Sequence, residues 1–158
     1  MKSSSKIKKH GFTLIEVIIS ISIMTILLGI SMTVFRALTD QQSLDRDVET
    51  AISYLLRARN QTITGENNST YGVYFASTSV TLFEGTSYAA GSSTNLVFNF
   101  NNRSYMYSIA LAGGANQVYF KKISGAPHAT GTITYRSSGM TNKQKLIRIY
   151  ASGLVEVQ

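Results

Sequence analysis

The feature that most constrains this chain is an apolar run near its N-terminus that contains one carboxylate. The twenty-four residues from Phe12 to Phe35 carry a single charged side chain, that of Glu16. A helix over this run would extend about 36 Å at 1.5 Å per residue, against a bilayer hydrocarbon core of roughly 30 Å. Residues 12–35 are therefore predicted to cross a membrane as a helix.

The flanks of the run indicate its type and orientation. A cleaved secretory signal has an apolar core of only about 7–15 residues and ends at a small-residue cleavage site, a pattern that residues 32–39 lack. Four lysines lie within residues 1–11, and the positive-inside rule places that segment in the cytoplasm and the rest outside it. The sequence predicts a retained single-pass anchor with an exported C-terminal domain.

Helical periodicity continues beyond the membrane run. Gly65, followed by two asparagines, is a plausible helix stop, which gives one helix over residues 12–64. The acids between residues 40 and 49 are expected on a solvated polar face. The predicted apolar stripe, on a period of 3.6 residues, consists of Val48, Ile52, Leu55, Leu56 and Ile63.

After residue 65 the apolar period changes to two, which is typical of strands. The last two runs predict a hairpin around Ala151–Gly153 that pairs Arg148 with Glu156 on one face. On the other face Ile149 meets Val155 and Ile147 meets Val157. The eight predicted strand runs are 71–75, 79–84, 95–100, 104–109, 117–122, 131–136, 144–150 and 154–157.

These patterns predict an α+β fold in which one long helix packs on a small antiparallel β-sheet head. The first half of the helix is apolar all round and is assigned to lipid, whereas the second half of the helix is amphipathic and packs on the head. The predicted segments are a basic leader (1–11), a transmembrane half-helix (12–35), an amphipathic half-helix (36–64) and the β head (65–158).

The composition offers little for catalysis. Absence of cysteine excludes thiol chemistry and disulfides, and only His10 and His128 supply imidazole. His128 lies in a turn-like stretch, where a lone histidine is usually solvated. No cluster has metal-ligand spacing and the glycines form no phosphate-binding motif, so no enzyme activity, metal or cofactor is predicted.

The stretch KKHGFTLIEV resembles the class III leader of type IV pilins and type II secretion pseudopilins. The match comprises a basic leader, Gly11, Phe12 and a glutamate at the fifth position counted from Phe12. A long apolar helix begins at this motif. The resemblance implies that prepilin peptidase cuts between Gly11 and Phe12 and that Phe12 becomes the N-methylated terminus.

The same resemblance gives Glu16 a role in assembly. A lone carboxylate in lipid costs roughly 2.5–3.5 kcal/mol on insertion scales. In the family the glutamate pairs with the terminal amine of a neighbouring subunit as the helices form a filament core. The alternative is a signal anchor whose incidental glutamate reaches the membrane interface.

A second resemblance extends past the leader. Residues 43–64 and the C-terminal strands are similar to H-type minor pseudopilins and FimT-like minor pilins. The helix-kinking proline of many major pilins is missing, with Thr33 standing near its place, and so is their C-terminal cysteine pair. Both departures favour a minor subunit or pseudopilin over a Gram-negative major pilin.

The C-terminal third of the chain is basic, with a net charge of +5 over residues 121–158. If its strands are neighbours, its cations form one patch that contacts either an acidic subunit or nucleic-acid phosphates, or only keeps the surface soluble. The residues concerned are Lys121, Lys122, Arg136, Lys143, Lys145 and Arg148.

Together these expectations describe a filament subunit of the bacterial inner membrane, with its N-terminus in the cytoplasm and its head outside. The implied partners are prepilin peptidase, other pilin or pseudopilin subunits, and the inner-membrane assembly machinery. The competing function is a pilus subunit for adhesion or DNA uptake. The filament would be periplasmic or on the cell surface.

Overall fold

The computed structural model describes residues 12–140 and 142–158, except for the side chain of Thr33. The predicted leader, including Gly11, lies outside the described residues. The chain divides into two compact units, Met1–Arg36 and Ala37–Gln158. We refer to the second unit as the head; it contains all the strands.

One helix, α1 (Leu14–Thr64), accounts for all but the first two residues of the predicted helix 12–64. It ends where the sequence indicated, because Gly65 adopts a left-handed conformation with φ of 70°. A short 3₁₀ turn, Glu66–Asn68, follows and leads into the first strand. The prediction of one helix without a break is confirmed.

All eight predicted strands are present, and they form two antiparallel four-stranded sheets where the sequence suggested one. Sheet 1 has the order β3-β2-β1-β5 and sheet 2 the order β4-β6-β7-β8. The α+β class is confirmed. The strands are β1 (Tyr71–Ala76), β2 (Ser79–Glu84), β3 (Leu96–Asn99), β4 (Ser104–Leu111), β5 (Gln117–Tyr119), β6 (Gly131–Ser137), β7 (Gln144–Ile149) and β8 (Val155–Val157).

The C-terminal hairpin has the predicted register. Arg148 faces Glu156, and the two flanking apolar pairs are those expected from the alternation. Gly153 closes the turn with φ of 82°, a conformation that glycine adopts without the steric cost of a side chain. Its N–H donates to the carbonyl of Tyr150 at 2.9 Å.

The core of the head lies between α1 and the two sheets, but the helix presents a different stripe from the predicted one. Leu56 and Ile63 are 43% and 42% exposed, so placing them on the buried face was wrong. Two small residues on the buried face of the helix, Ala51 and Ala58, let the sheets approach the helix closely. The buried apolar residues of the helix are Leu44, Val48, Ala51, Leu55 and Ala58, and they pack with Val73, Phe75, Ile133, Tyr135, Ile147 and Ile149.

Candidate functional site

The first part of α1 exposes its apolar side chains. Among the large apolar residues described from Phe12 to Phe35, exposure runs from 46% at Val17 to 83% at Phe12. Within the described residues, α1 is the one helix whose length and composition would allow it to cross a membrane. This surface needs lipid or other helices to cover it.

The hydroxyl side chains in the apolar segment bond to the helix backbone. Ser20 donates to the carbonyl of Glu16 at 2.7 Å, and Thr25 donates to that of Ile21 at 2.8 Å. Ser22 and Ser31 make the same bond to the carbonyl four residues earlier. These polar groups therefore need no outside partner in a lipid environment.

Glu16 lies in the first turn of α1, where Thr13 caps the helix. The backbone N–H of Glu16 donates to the Thr13 hydroxyl oxygen at 3.3 Å. A threonine followed three residues later by glutamate is the capping-box pattern, and a carboxylate in the first turn also interacts favourably with the helix dipole. The sequence analysis missed this cap, although the Thr-x-x-Glu spacing signals it.

Of the four acids between residues 40 and 49, only Glu49 is exposed as the sequence suggested. Asp40 pairs with Arg103 at 2.6 Å and Asp45 pairs with Lys145 at 2.8 Å. Asp47 is only 1% exposed. Positions 40, 44, 47 and 51 share one helical face, so this face turns toward the sheets and Asp40 and Asp47 meet their partners there.

Asp47 is the most buried of these acids. Its carboxylate accepts a hydrogen bond from the Ser104 hydroxyl at the start of β4. Burial raises the pKa of Asp47, and the bonds from Ser104 and the Asn101 backbone, together with the nearby Arg46, oppose that shift. Burial, and then the nearby Asp47 carboxylate, also raise the pKa of the Tyr135 phenol. This network fastens α1 to sheet 2.

The structure separates the six basic residues into different surfaces. Lys145 turns toward α1 and pairs with Asp45, whereas its β7 neighbours Gln144, Leu146 and Arg148 belong to the opposite face of sheet 2. Lys121 and Lys122 lie on the loop after β5, and the Lys122 ammonium donates to the Asn68 carbonyl at 2.6 Å. Lys143 is exposed in the connection before β7.

Arg136 and Arg148 share the outer face of sheet 2. The guanidinium of Arg136 lies 3.6 Å from the centroid of the Tyr107 ring, and one of its nitrogens donates to Gln144 at 3.2 Å. Arg148 lies 6.0 Å from the ring of Tyr150. The face therefore combines two cations with two aromatic rings.

His128 is held by its surroundings rather than simply solvated. Its ring stacks on that of Tyr119, with 4.2 Å between the centroids. Burial, and then the charge of Lys121, lower the pKa of His128 below its ordinary value. Among the described residues, no group of three histidine or carboxylate side chains is placed to hold a metal ion.

Comparison with protein families finds one match, at the N-terminus. Residues 6–32 match a family described as the prokaryotic N-terminal methylation motif. No curated protein and no solved structure gives a significant match to the chain. The matched range covers three of the four lysines before Gly11, the Gly11–Phe12 bond, Glu16 and most of the exposed apolar helix. The N-terminal segment of this chain therefore carries the prokaryotic N-terminal methylation motif.

Proposed function

We propose that this protein is a minor pilin or pseudopilin that assembles through its N-terminal helix into a type II secretion pseudopilus or a type IV pilus-like filament. The observation that carries the proposal is the exposed apolar surface of residues 12–35, combined with a methylation motif over residues 6–32. Lipid covers such a surface before assembly and neighbouring helices cover it afterwards.

Glu16 would favour the assembled filament over the free subunit. Before assembly its carboxylate sits in the first helical turn, where the helix dipole favours it. Cleavage before Phe12 creates a new positive amine, and the amine of an adjacent subunit then neutralises the carboxylate inside the filament. The cost of an unpaired charge in lipid favours the assembled state.

The chemistry in this proposal is carried out on the protein and not by it. Prepilin peptidase would cut the Gly11–Phe12 bond and methylate Phe12, and the head would have no catalytic role. The chain would span the inner membrane once, with residues 1–11 in the cytoplasm and the head outside. An inner-membrane assembly machine would extract it into the filament.

The test is the intact mass and N-terminal sequence of protein recovered from membranes that also contain an active prepilin peptidase. We expect a mature chain that begins at N-methylated Phe12, and we expect Gly11→Asp to abolish cleavage. An uncut wild-type chain, beside a control substrate that is cut, would contradict the proposal.

A second candidate function is binding of DNA by the outer face of sheet 2. Arg136 and Arg148 supply positive charge there, and Tyr107, which is 54% exposed, supplies an aromatic surface. Cations bind phosphates, and exposed aromatic rings stack on unpaired bases. This arrangement favours single-stranded DNA or the frayed end of a duplex.

The detergent-solubilised full chain tests this candidate by titration with a labelled single strand at several salt concentrations. Arg136→Ala and Arg148→Ala should each weaken binding and lower its salt dependence. Lys145→Ala is the matched control, because it removes one positive charge from the opposite face of β7. Equal losses in all three variants would indicate attraction by net charge alone.

A further inference from the structure

A cleft opens between the part of α1 that enters the head and residues 98–101 at the end of β3. We call it the helix–strand cleft. Its volume is about 340 Å³, within the range of about 300–1,000 Å³ that is typical of small-molecule sites. Its lining includes Gln42, Ser43, Arg46 and Asp47 of the helix and Phe98 and Phe100 of the facing segment.

The wall of the cleft carries a hydroxyl group that the head leaves unpaired. Ser43 is 8% exposed, and its Oγ atom has no hydrogen-bond partner among the described residues. Several other hydroxyls of α1 donate to the carbonyl four residues earlier, as Thr50 does to Arg46 at 2.8 Å. A buried hydroxyl without a partner destabilises a folded protein, so its place at a cleft indicates a partner from outside. A change of rotamer about Cα–Cβ can turn the hydroxyl toward the cleft.

Two neighbours of this hydroxyl extend the polar part of the cleft. The Asp47 carboxylate accepts hydrogen bonds from the Ser104 hydroxyl and the Asn101 backbone, and a carboxylate has about four lone-pair sites, so it can accept further bonds. Gln42 is exposed at the rim, and its amide both donates and accepts. These groups suit a ligand that carries several hydroxyl groups.

The facing wall is apolar. The rings of Phe98 and Phe100 lie with their centroids 6.2 Å apart, and the Arg46 guanidinium lies 6.0 Å from the centroid of the Phe98 ring. Arg46 and Asp47 are the charged residues of the lining, and their charges cancel. An anionic ligand would meet the carboxylate and a cationic ligand would meet the guanidinium, so the lining favours an uncharged ligand.

We propose that the helix–strand cleft binds a pyranose sugar ring. Such a ring has hydroxyl groups around its edge and C–H groups on its two faces. The edge bonds to Ser43, Gln42 and Asp47, while one face lies against the negative face of the Phe98 ring. A free sugar and a sugar unit of a polysaccharide share this chemistry. The site adds ligand binding to the head and does not depend on the proposed filament function.

Saturation-transfer NMR of the full chain tests the proposal, because this measurement detects weak binding of small ligands. The protein is kept in a phosphocholine detergent, since a detergent with a sugar headgroup would compete for the cleft. The probes are methyl glucoside, methyl galactoside, methyl mannoside and N-acetylglucosamine. We expect at least one probe to receive saturation, and sorbitol, which has the hydroxyl groups but no ring, to receive far less. Saturation of none of the probes, or equal saturation of sorbitol, would overturn the proposal.

Ser43→Ala separates binding from folding. Because the Ser43 hydroxyl has no partner among the described residues, its removal should leave the melting temperature unchanged or raise it, yet should weaken sugar binding several-fold. Phe98→Leu keeps an apolar side chain but removes the flat ring, and should also weaken binding several-fold. Unchanged affinity in both variants would overturn the proposal.

Gln42 and Gln41 provide a matched pair of substitutions. Both side chains are exposed on α1, but only Gln42 lines the cleft. Gln42→Ala should therefore weaken binding about three-fold or more, as expected for the loss of one hydrogen bond, whereas Gln41→Ala should not change it. Equal effects of the two substitutions would place the sugar elsewhere and overturn the proposal.

Oligosaccharides of the sugar that binds distinguish the two sources of the ring. Tighter binding of a linear trimer than of the monosaccharide would assign the site to sugar units within a polysaccharide. Equal affinities would assign it to a free sugar or to the end of a chain. Both results support a site for one ring, provided that Ser43→Ala weakens the binding of each ligand. Binding that Ser43→Ala and Phe98→Leu leave intact would overturn the assignment of the cleft.

Discussion

The Ser104 hydroxyl donates a hydrogen bond to the Asp47 carboxylate and so joins α1 to the first residue of β4, 57 positions later in the chain. Both side chains are buried, with exposures of 3% and 1%. The bond holds the first residue of β4, in sheet 2, against the helix. It also compensates part of the cost of burying a carboxylate.

Ser104→Ala should therefore destabilise the head by about 1–3 kcal/mol, because the buried carboxylate loses a donor that it cannot replace. Thermal unfolding of the full chain in detergent, followed by near-UV circular dichroism of its nine tyrosines, measures the effect. Ser108→Ala, at an exposed position of the same strand, is the matched control and should change stability by less than about 0.5 kcal/mol. Equal effects at the two positions would argue against the Asp47 bond.

Asp47 also makes the stability of the head depend on pH. Because its folded-state pKa lies above the ordinary value of 3.8, the folded state holds this proton more tightly than the unfolded state does. The stabilisation from protonated Asp47 is complete below 3.8 and is lost as pH rises through the folded pKa. Wild type should therefore lose stability relative to Asp47→Asn across that window.

The measurement is the difference in melting temperature between wild type and Asp47→Asn at several pH values, in which other titrating groups cancel. The asparagine amide changes the stability of the variant by an amount that does not vary with pH. The readout is therefore the slope of the melting-temperature difference against pH. A wild type that gains stability relative to the variant with rising pH would show that the site favours the anion.

Gly139 lies against the Asp40 carboxylate, so that a Cβ at this position would overlap the oxygen atoms. Gly139→Ala should displace Asp40 from Arg103 and destabilise the head by about 1 kcal/mol. A double-mutant cycle checks the cause: in an Asp40→Ala background the same substitution should have almost no effect. Additive effects would place the strain elsewhere.

Much of this fold can be read from local patterns. The helix end at Gly65, the eight strands and the register of the last hairpin follow from turn residues and from apolar periods of 3.6 and 2. Strand pairing beyond the hairpin could not be derived, because alternation indicates which face a residue occupies and not which strand lies beside it. The division into two sheets depends on contacts between segments distant in sequence.

The candidate site shows the same limit. The leader and Glu16 lie in one short stretch of sequence, so its resemblance to a class III leader was enough to single them out. Three aspartates of α1 were misplaced because their partners, Arg103, Ser104 and Lys145, lie about sixty or more residues away, and a charged residue on a buried face is rare without such partners. Lys145 was grouped with the other cations for the same reason.

Ile123 offers a prediction about stability that is independent of any partner. Ile123→Asn should stabilise the head by about 1 kcal/mol, because asparagine relieves the strain at positive φ and the isoleucine side chain is exposed. Ile123→Val keeps a β-branched side chain and should leave the melting temperature nearly unchanged. A loss of stability in the asparagine variant would mean that the isoleucine packs within the head.

Glu16 combines two roles that substitutions can separate. Glu16→Gln keeps a side chain suited to the capping box but removes the charge, whereas Thr13→Ala removes the cap and keeps the charge. If the charge serves assembly, Glu16→Gln should be cleaved normally and yet be depleted from the sheared filament fraction, since an amide cannot pair with a neighbouring amine as an ion. Thr13→Ala should lose only about 1 kcal/mol of local helix stability and still assemble. Quantitative immunoblots of the filament and membrane fractions, beside the mature mass, distinguish these outcomes. Assembly lost with Thr13→Ala but not with Glu16→Gln would assign the function of this turn to the helix cap instead of the charge.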